Sequence, residues 1–307
     1  MKYLVTGGAG FIGSNLVDFL IDKGNEVVVL DDLSTGKEEN LNPKARFYNI
    51  DISSNLNTYI NKFAGVDCVF HLAALARVPR SVKDPVGTNK ANVVGGLNIL
   101  QICRQLVIPK LVISSSSSVY GNQATHVMQE DMIKAPISPY GLQKSIIEDY
   151  ADLFAKLYDM QIVSLRYFNV YGKRQVKAGA YSLVIGKFLE QKARGRAMTI
   201  YGDGEQTRAY THISDVVKAN YLSATKPWLI DDGFHYILNI GTNEETSVNT
   251  IAKMIGGKTK YITPNPRGEF EENRKCADFT RAKKILRWEP KVYIKEGMAI
   301  VKEEECK

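Results

Sequence analysis

The sequence predicts an α/β fold, a doubly wound parallel sheet followed by a smaller C-terminal α/β unit. Two observations carry this. Up to about residue 170, short apolar runs alternate with longer stretches of helical periodicity, the pattern of βαβ units. A glycine-rich segment directly follows the first apolar run and opens the first helical one.

Strands are expected at Tyr3 to Thr6, Glu26 to Leu30, Arg46 to Asn49, Cys68 to Leu72, Leu111 to Ser114 and Gln161 to Arg166. Helices are expected at Phe11 to Lys23, Leu56 to Phe63, Pro85 to Leu106 and Tyr140 to Tyr158. Past residue 170 the pattern becomes irregular and is punctuated by Gly172, Gly195, Gly202 and Gly204. A helix at His212 to Ser223 and a strand at His235 to Ile240 would bring the chain back to the sheet. The expected division is therefore residues 1–170, revisited at about 212–240, and residues 171–307, mainly 171–211 and 241–307.

A chain of 307 residues with 44% hydrophobic side chains can bury a large core. No apolar run is long enough for a bilayer, which needs about 18 residues, so no membrane association is expected. The N-terminus passes from Lys2 straight into an apolar strand without the layout of a signal peptide, so a cytoplasmic location is expected. Cys68, Cys103, Cys276 and Cys306 are scattered, as reduced thiols would be. No metal site is expected, because on a strand Cys68 and His71 would point to opposite faces. The net charge of +7 is spread along the chain without an aromatic-interleaved basic cluster, so no nucleic-acid partner is expected.

In Thr6-Gly7-Gly8-Ala9-Gly10-Phe11-Ile12-Gly13 the spacing is G-x-x-G-x-x-G. Gly7 permits the tight turn, Gly10 the approach of backbone to a pyrophosphate, and Gly13 close packing of helix on sheet. The phosphates would meet the helix N-terminus at Phe11 and Ile12. About 20 residues on, the second strand ends in Asp31-Asp32, where a carboxylate can accept the adenosine ribose hydroxyls and repel a 2′-phosphate. NAD is therefore favoured over NADP in this Rossmann-type site. Asp51 and Ile52 are candidates for the adenine, and the small residues of Leu72-Ala73-Ala74 would let a dinucleotide lie close to backbone.

Tyr140 and Lys144 stand at i and i+4, one above the other on a helix. An ammonium beside a phenol stabilises the phenolate and can bring its pKa from about 10 toward neutrality. Such a tyrosine can serve as a base on a substrate hydroxyl. The serine run Ser114 to Ser118 begins where an apolar strand ends, at the carboxyl edge where such sheets bind ligands.

Together with Arg166-Tyr167-Phe168-Asn169-Val170-Tyr171-Gly172, these segments occur in the order found in extended short-chain dehydrogenases/reductases. The chain resembles their NAD-dependent epimerase/dehydratase branch over nearly its whole length, and most of all the UDP-hexose (UDP-glucose or UDP-N-acetylglucosamine) 4-epimerases. The resemblance implies that Ser116 is the catalytic hydroxyl, Tyr140 the base, and Lys144 the residue that holds the nicotinamide ribose. Tyr167 would line the cofactor site. It also implies a UDP-sugar held by Ser116, Tyr140, Asn169, Arg208, Tyr210 and Arg267, with Arg208 and Arg267 on phosphate. A homodimer is implied, with the helix after Asn89 and the Tyr140 helix forming a four-helix bundle.

Three positions bear on the reaction and the sugar. Ala209 replaces an aspartate that usually follows the arginine, Lys275 occupies the position that gates an N-acetyl pocket, and Ser117 and Ser118 stand where 4,6-dehydratases place an Asp-Glu pair. Lacking an extra acid and base, the site is expected to carry out 4-epimerisation: Tyr140 takes the 4-hydroxyl proton, carbon 4 gives hydride to NAD, and the 4-keto sugar takes it back on its other face. A UDP-glucuronate 4-epimerase, another dehydratase, decarboxylase or reductase of the family, and a non-catalytic NAD-sensing protein are the alternatives.

Overall fold

The computed structural model describes residues 1–176, 183–227, 234–263 and 274–305. Its centre is a sheet of seven strands: β1 (Lys2–Thr6), β2 (Glu26–Asp31), β3 (Arg46–Asn49), β4 (Cys68–His71), β5 (Lys110–Ser116), β6 (Gln161–Tyr167) and β7 (His235–Ile240). All six pairings are parallel. The spatial order is β7-β6-β5-β4-β1-β2-β3, so the direction in which successive strands are added reverses between β1 and β4, the crevice where doubly wound sheets bind their ligands.

The strands are apolar on both faces because both are covered. Tyr3, Val5, Val27 and Val29 point to the layer of α1 (Phe11–Asp22) and join Leu16, Val17 and Leu20 of that helix, with Trp288 in the same cluster. Leu4, Val28 and Leu30 point the other way, to Ile99, Leu100, Ile147 and Phe154. This alternation is the two-residue period of a strand buried on both sides.

The second layer contains α2 (Val78–Lys83), α3 (Pro85–Asn89), α4 (Gly95–Gln105) and α5 (Pro139–Tyr158). The single helix expected from Pro85 to Leu106 is interrupted by a π turn at Lys90–Val94. That turn aims the buried Asn92 inward, where its Oδ1 accepts from the Leu75 amide at 2.7 Å and its Nδ2 donates to Gln143 Oε1 at 2.8 Å. The segment Leu56–Phe63 is a 3₁₀ helix rather than an α-helix.

Beyond Tyr171 a separate apolar cluster forms, in which α6 (Val184–Ala193) contributes Ile185 and Phe188. The chain returns to the main sheet through α7 (Ile213–Thr225), and α8 (Val248–Ile255) adds Ile251 to the outer cluster.

Candidate active site

A cavity of about 860 Å³ opens along the carboxyl ends of β1, β4 and β5. The residues lining it include Gly7, Gly10, Phe11, Ile12, Gly13, Asp31, Asp32, Asp51, Ile52, Leu72, Ala73 and Ala74 at one end, and Ser116, Tyr140, Tyr167, Asn169 and Arg208 toward the other. Two segments far apart in sequence thus meet in one trough.

The glycine turn is shaped for close approach. Gly7 has φ +72, and a Cβ there would lie 2.7 Å from the Ala73 backbone; a Cβ on Gly13 would lie 2.0 Å from Gly7 O. The N-cap of α1 is Gly10, which has no side chain to cover the first-turn amides. Those amides are therefore left to face an anion. A cavity of this length, with a bare helix N-terminus at its centre and carboxylates at one end, fits a dinucleotide.

Asp31 and Asp32 differ in role. Asp31 is buried; its Oδ2 accepts from the Ala9 amide and its Oδ1 from the Leu33 amide, both at 2.9 Å, so it also fixes the glycine turn. Burial pushes its carboxyl up, with those two amides opposing. Asp32 is exposed and accepts from the Ser34 amide at 2.9 Å. Asp51 is likewise exposed and accepts from the Ser53 amide. Below them, Thr6 Oγ1 lies 2.9 Å from His71 Nδ1 and accepts from the Ala73 amide at 3.2 Å, tying the ends of β1 and β4 together. Burial holds His71 down to about 3.

At the other end, α5 starts at Ser138, whose Oγ accepts from the Gly141 amide, with Pro139 in its first turn. Tyr140 lines the cavity in that turn, and its amide donates to Ser81 Oγ at 3.0 Å. Lys144 lies one turn on, buried behind the wall. Its Nζ donates to Ser114 O at 2.7 Å. Burial pulls the ammonium down to about 8, against the opposing pull of Glu148 another turn along. Glu148 takes a bidentate contact from Arg166 (2.9 and 2.7 Å) and accepts from Ser115 Oγ at 2.5 Å.

The serine run is thereby divided: Ser114 holds Lys144, Ser115 holds Glu148, and Ser116 Oγ accepts from the Ser118 amide at 3.1 Å beside the cavity. Asn169 has φ +32 and donates through Nδ2 to Ala209 O at 2.9 Å. Tyr167 turns its hydroxyl to Asn220 at 2.9 Å. Tyr210 stays out of the cavity wall; its buried ring packs edge-on against Tyr171 in the outer cluster. Arg267 lies outside the described residues. Sequence reasoning missed Arg77, Ser81, Asn92 and Glu148. An Asn amid the apolar positions of a helix, and a Glu four residues past Lys144, were the signals available for two of them.

Cys68 and His71 are each buried without converging on a common point, Cys68 Sγ lying against Val69 O. Ligand atoms of His126, Glu245 and Cys276 do come within 4.8 Å of one another. Glu245 there already holds a cation, Arg274 Nη2, at 2.5 Å.

This geometry defines a dinucleotide-dependent enzyme with a Tyr-Lys pair. The family model of the NAD dependent epimerase/dehydratase family matches residues 3–241. A putative UDP-glucose 4-epimerase of Methanocaldococcus jannaschii is 41% identical over 301 residues, covering 96% of this chain and 95% of the relative. The crystal structure of the UDP-glucose 4-epimerase of Thermotoga maritima with UDP-glucose superposes with TM-score 0.92 at 38% identity, covering 100% and 99% of the two chains. The Thermus thermophilus UDP-glucose 4-epimerase in complex with NAD has TM-score 0.88 at 34% identity, covering 98% and 97%. The chain belongs to the NAD-dependent epimerase/dehydratase family, and NAD is its cofactor.

Proposed function

We propose that this enzyme inverts carbon 4 of a UDP-hexose, interconverting UDP-glucose and UDP-galactose or their N-acetyl forms. One observation carries the reading. Among the described residues that line the cavity, the only carboxylates are Asp31, Asp32 and Asp51, all at the adenosine end. Away from that end the described lining offers hydroxyls, amides and cations such as Arg77 and Arg208, but no further carboxylate to act as a second acid or base in eliminating water or handling a departing carboxylate. The chemistry left to it is proton transfer at a single hydroxyl.

Gly7, Gly10, Phe11, Ile12 and Gly13 would hold the pyrophosphate of NAD and Asp31 or Asp32 its ribose. When bound, NAD supplies a reversible hydride acceptor at carbon 4. Tyr140 takes and returns the 4-hydroxyl proton, Ser116 orients that oxygen, and Lys144 favours the phenolate by its charge. Arg208 and Asn169 would fix the diphosphate, so that the sugar turns while its handle stays in place. The test is incubation with UDP-glucose, UDP-N-acetylglucosamine and UDP-glucuronate separately. A product of unchanged mass and inverted carbon 4 is expected; a change in mass refutes the assignment.

A uronic acid sugar is the second reading. The buried Lys275 donates to Ser117 O at 3.3 Å, which brings a cation behind the serine loop where a substrate carboxylate would be met.

The homodimer is proposed on the same footing. Of the apolar residues on these two helices, Leu100, Ile147 and Phe154 are internal core. Leu142, Leu153 and Leu157 instead stay 51%, 48% and 61% exposed along one stripe of α5, and Val86 and Val94 are exposed beside it. An exposed apolar stripe of this kind suits helix pairing between copies.

A further inference from the structure

Arg77 stands at the N-cap of α2 with φ +112 and ψ +122, backbone that side-chain-bearing residues rarely adopt. Such strain persists where the surroundings impose it, commonly at functional sites. Arg77 is half-buried and lines the cavity, and its guanidinium makes no hydrogen bond or ion pair with any described residue. A desolvated cation of this kind is costly unless an anion answers it. The helix that Arg77 opens is docked on the first turn of α5 through Ser81 and the Tyr140 amide. Arg77 and Tyr140 line the same cavity; burial pulls the guanidinium down, and a charged Tyr140 opposes that pull.

We propose that Arg77 is a positioning residue for the reaction: it gives the Tyr140 phenolate a second positive neighbour beside Lys144. This rests on Tyr140 being the base. The division of labour follows from the two side chains. The buried ammonium of Lys144, held down to about 8, loses its charge in mildly alkaline solution, whereas a guanidinium stays charged at every working pH. Arg77 therefore keeps the phenolate stabilised where Lys144 no longer does.

The test compares the parent with Arg77→Gly and Arg77→Lys, each loaded with NAD. Phenolate ultraviolet absorbance is titrated with Tyr140→Phe as the subtracted reference, and kcat/KM for the UDP-sugar is followed against pH. Arg77→Gly is expected to move the Tyr140 transition and the acid limb upward by about one pH unit, about a tenfold loss on the acid side. Arg77→Lys should restore both. The thermal midpoint of Arg77→Gly should equal or exceed the parent's, because glycine adopts this φ without strain. An unmoved phenol transition in Arg77→Gly overturns the proposal. So does a loss confined to UDP-glucuronate, which would make Arg77 a carboxylate receptor. The absorbance titration needs no turnover, so it decides the matter even if no UDP-sugar is epimerised.

Discussion

The Lys144 ammonium donates to the Ser114 backbone carbonyl at 2.7 Å, joining the reactive helix to the carboxyl-terminal half of β5. The contact holds a charge in a place where water cannot reach it. The pair Tyr140 and Lys144 is thus set by the sheet, through α5, rather than by a surface loop.

Burying that ammonium costs stability. Its folded value of about 8 lies below the unfolded 10.5, so between those values the unfolded chain binds more protons and stability rises with pH. Lys144→Met should stabilise the protein at pH 7 by roughly 1–3 kcal/mol while removing nearly all turnover. Urea denaturation paired with an activity assay checks both signs.

Glu148 is the counter-ion beneath. Replacing it by Ala leaves Arg166 buried and unanswered, an expected loss of about 3–5 kcal/mol. Chemical denaturation should also show Arg166→Met with Glu148→Gln together costing less than the sum of the two single changes.

Three buried histidines make the fold acid-sensitive. His71 is held at about 3, His212 and His235 at about 4, in each case chiefly by burial. As pH falls from about 6.5 toward those values, the unfolded chain takes up protons that the folded chain refuses, so stability falls. Denaturation midpoints at pH 7 and pH 5 should show the drop, and His71→Asn should reduce it.

Gly7→Ala meets two obstacles, a positive φ and the Ala73 backbone at 2.7 Å. A destabilisation of about 1–3 kcal/mol from the backbone alone is expected, with NAD binding weakened beyond detection by calorimetry. Normal binding would remove the glycine turn from the cofactor site.

The six N-terminal strands and the glycine turn were readable because strand alternation and helix period are local signals. Thr6, Gly7 and Asp31 sit where the sequence places them. The π turn at Lys90–Val94 was not readable, since its cause is Asn92 reaching Leu75 and Gln143 across the fold. Tyr210 was expected at the substrate from the family resemblance alone; its buried ring packs in the outer cluster against Tyr171, a neighbour that no local signal names. Arg77 was hidden for a simpler reason: nothing local shows that an arginine will be held at positive φ in the cavity wall that Tyr140 also lines.

Isotope retention at carbon 4 is the most direct test of the proposed chemistry. UDP-glucose deuterated at carbon 4 is converted by the NAD-loaded enzyme in ordinary water. The proposed reaction returns the same hydrogen to the opposite face, so the UDP-galactose formed should keep its deuterium at carbon 4 and its mass. Loss of the label to solvent, or a product of different mass, would contradict it.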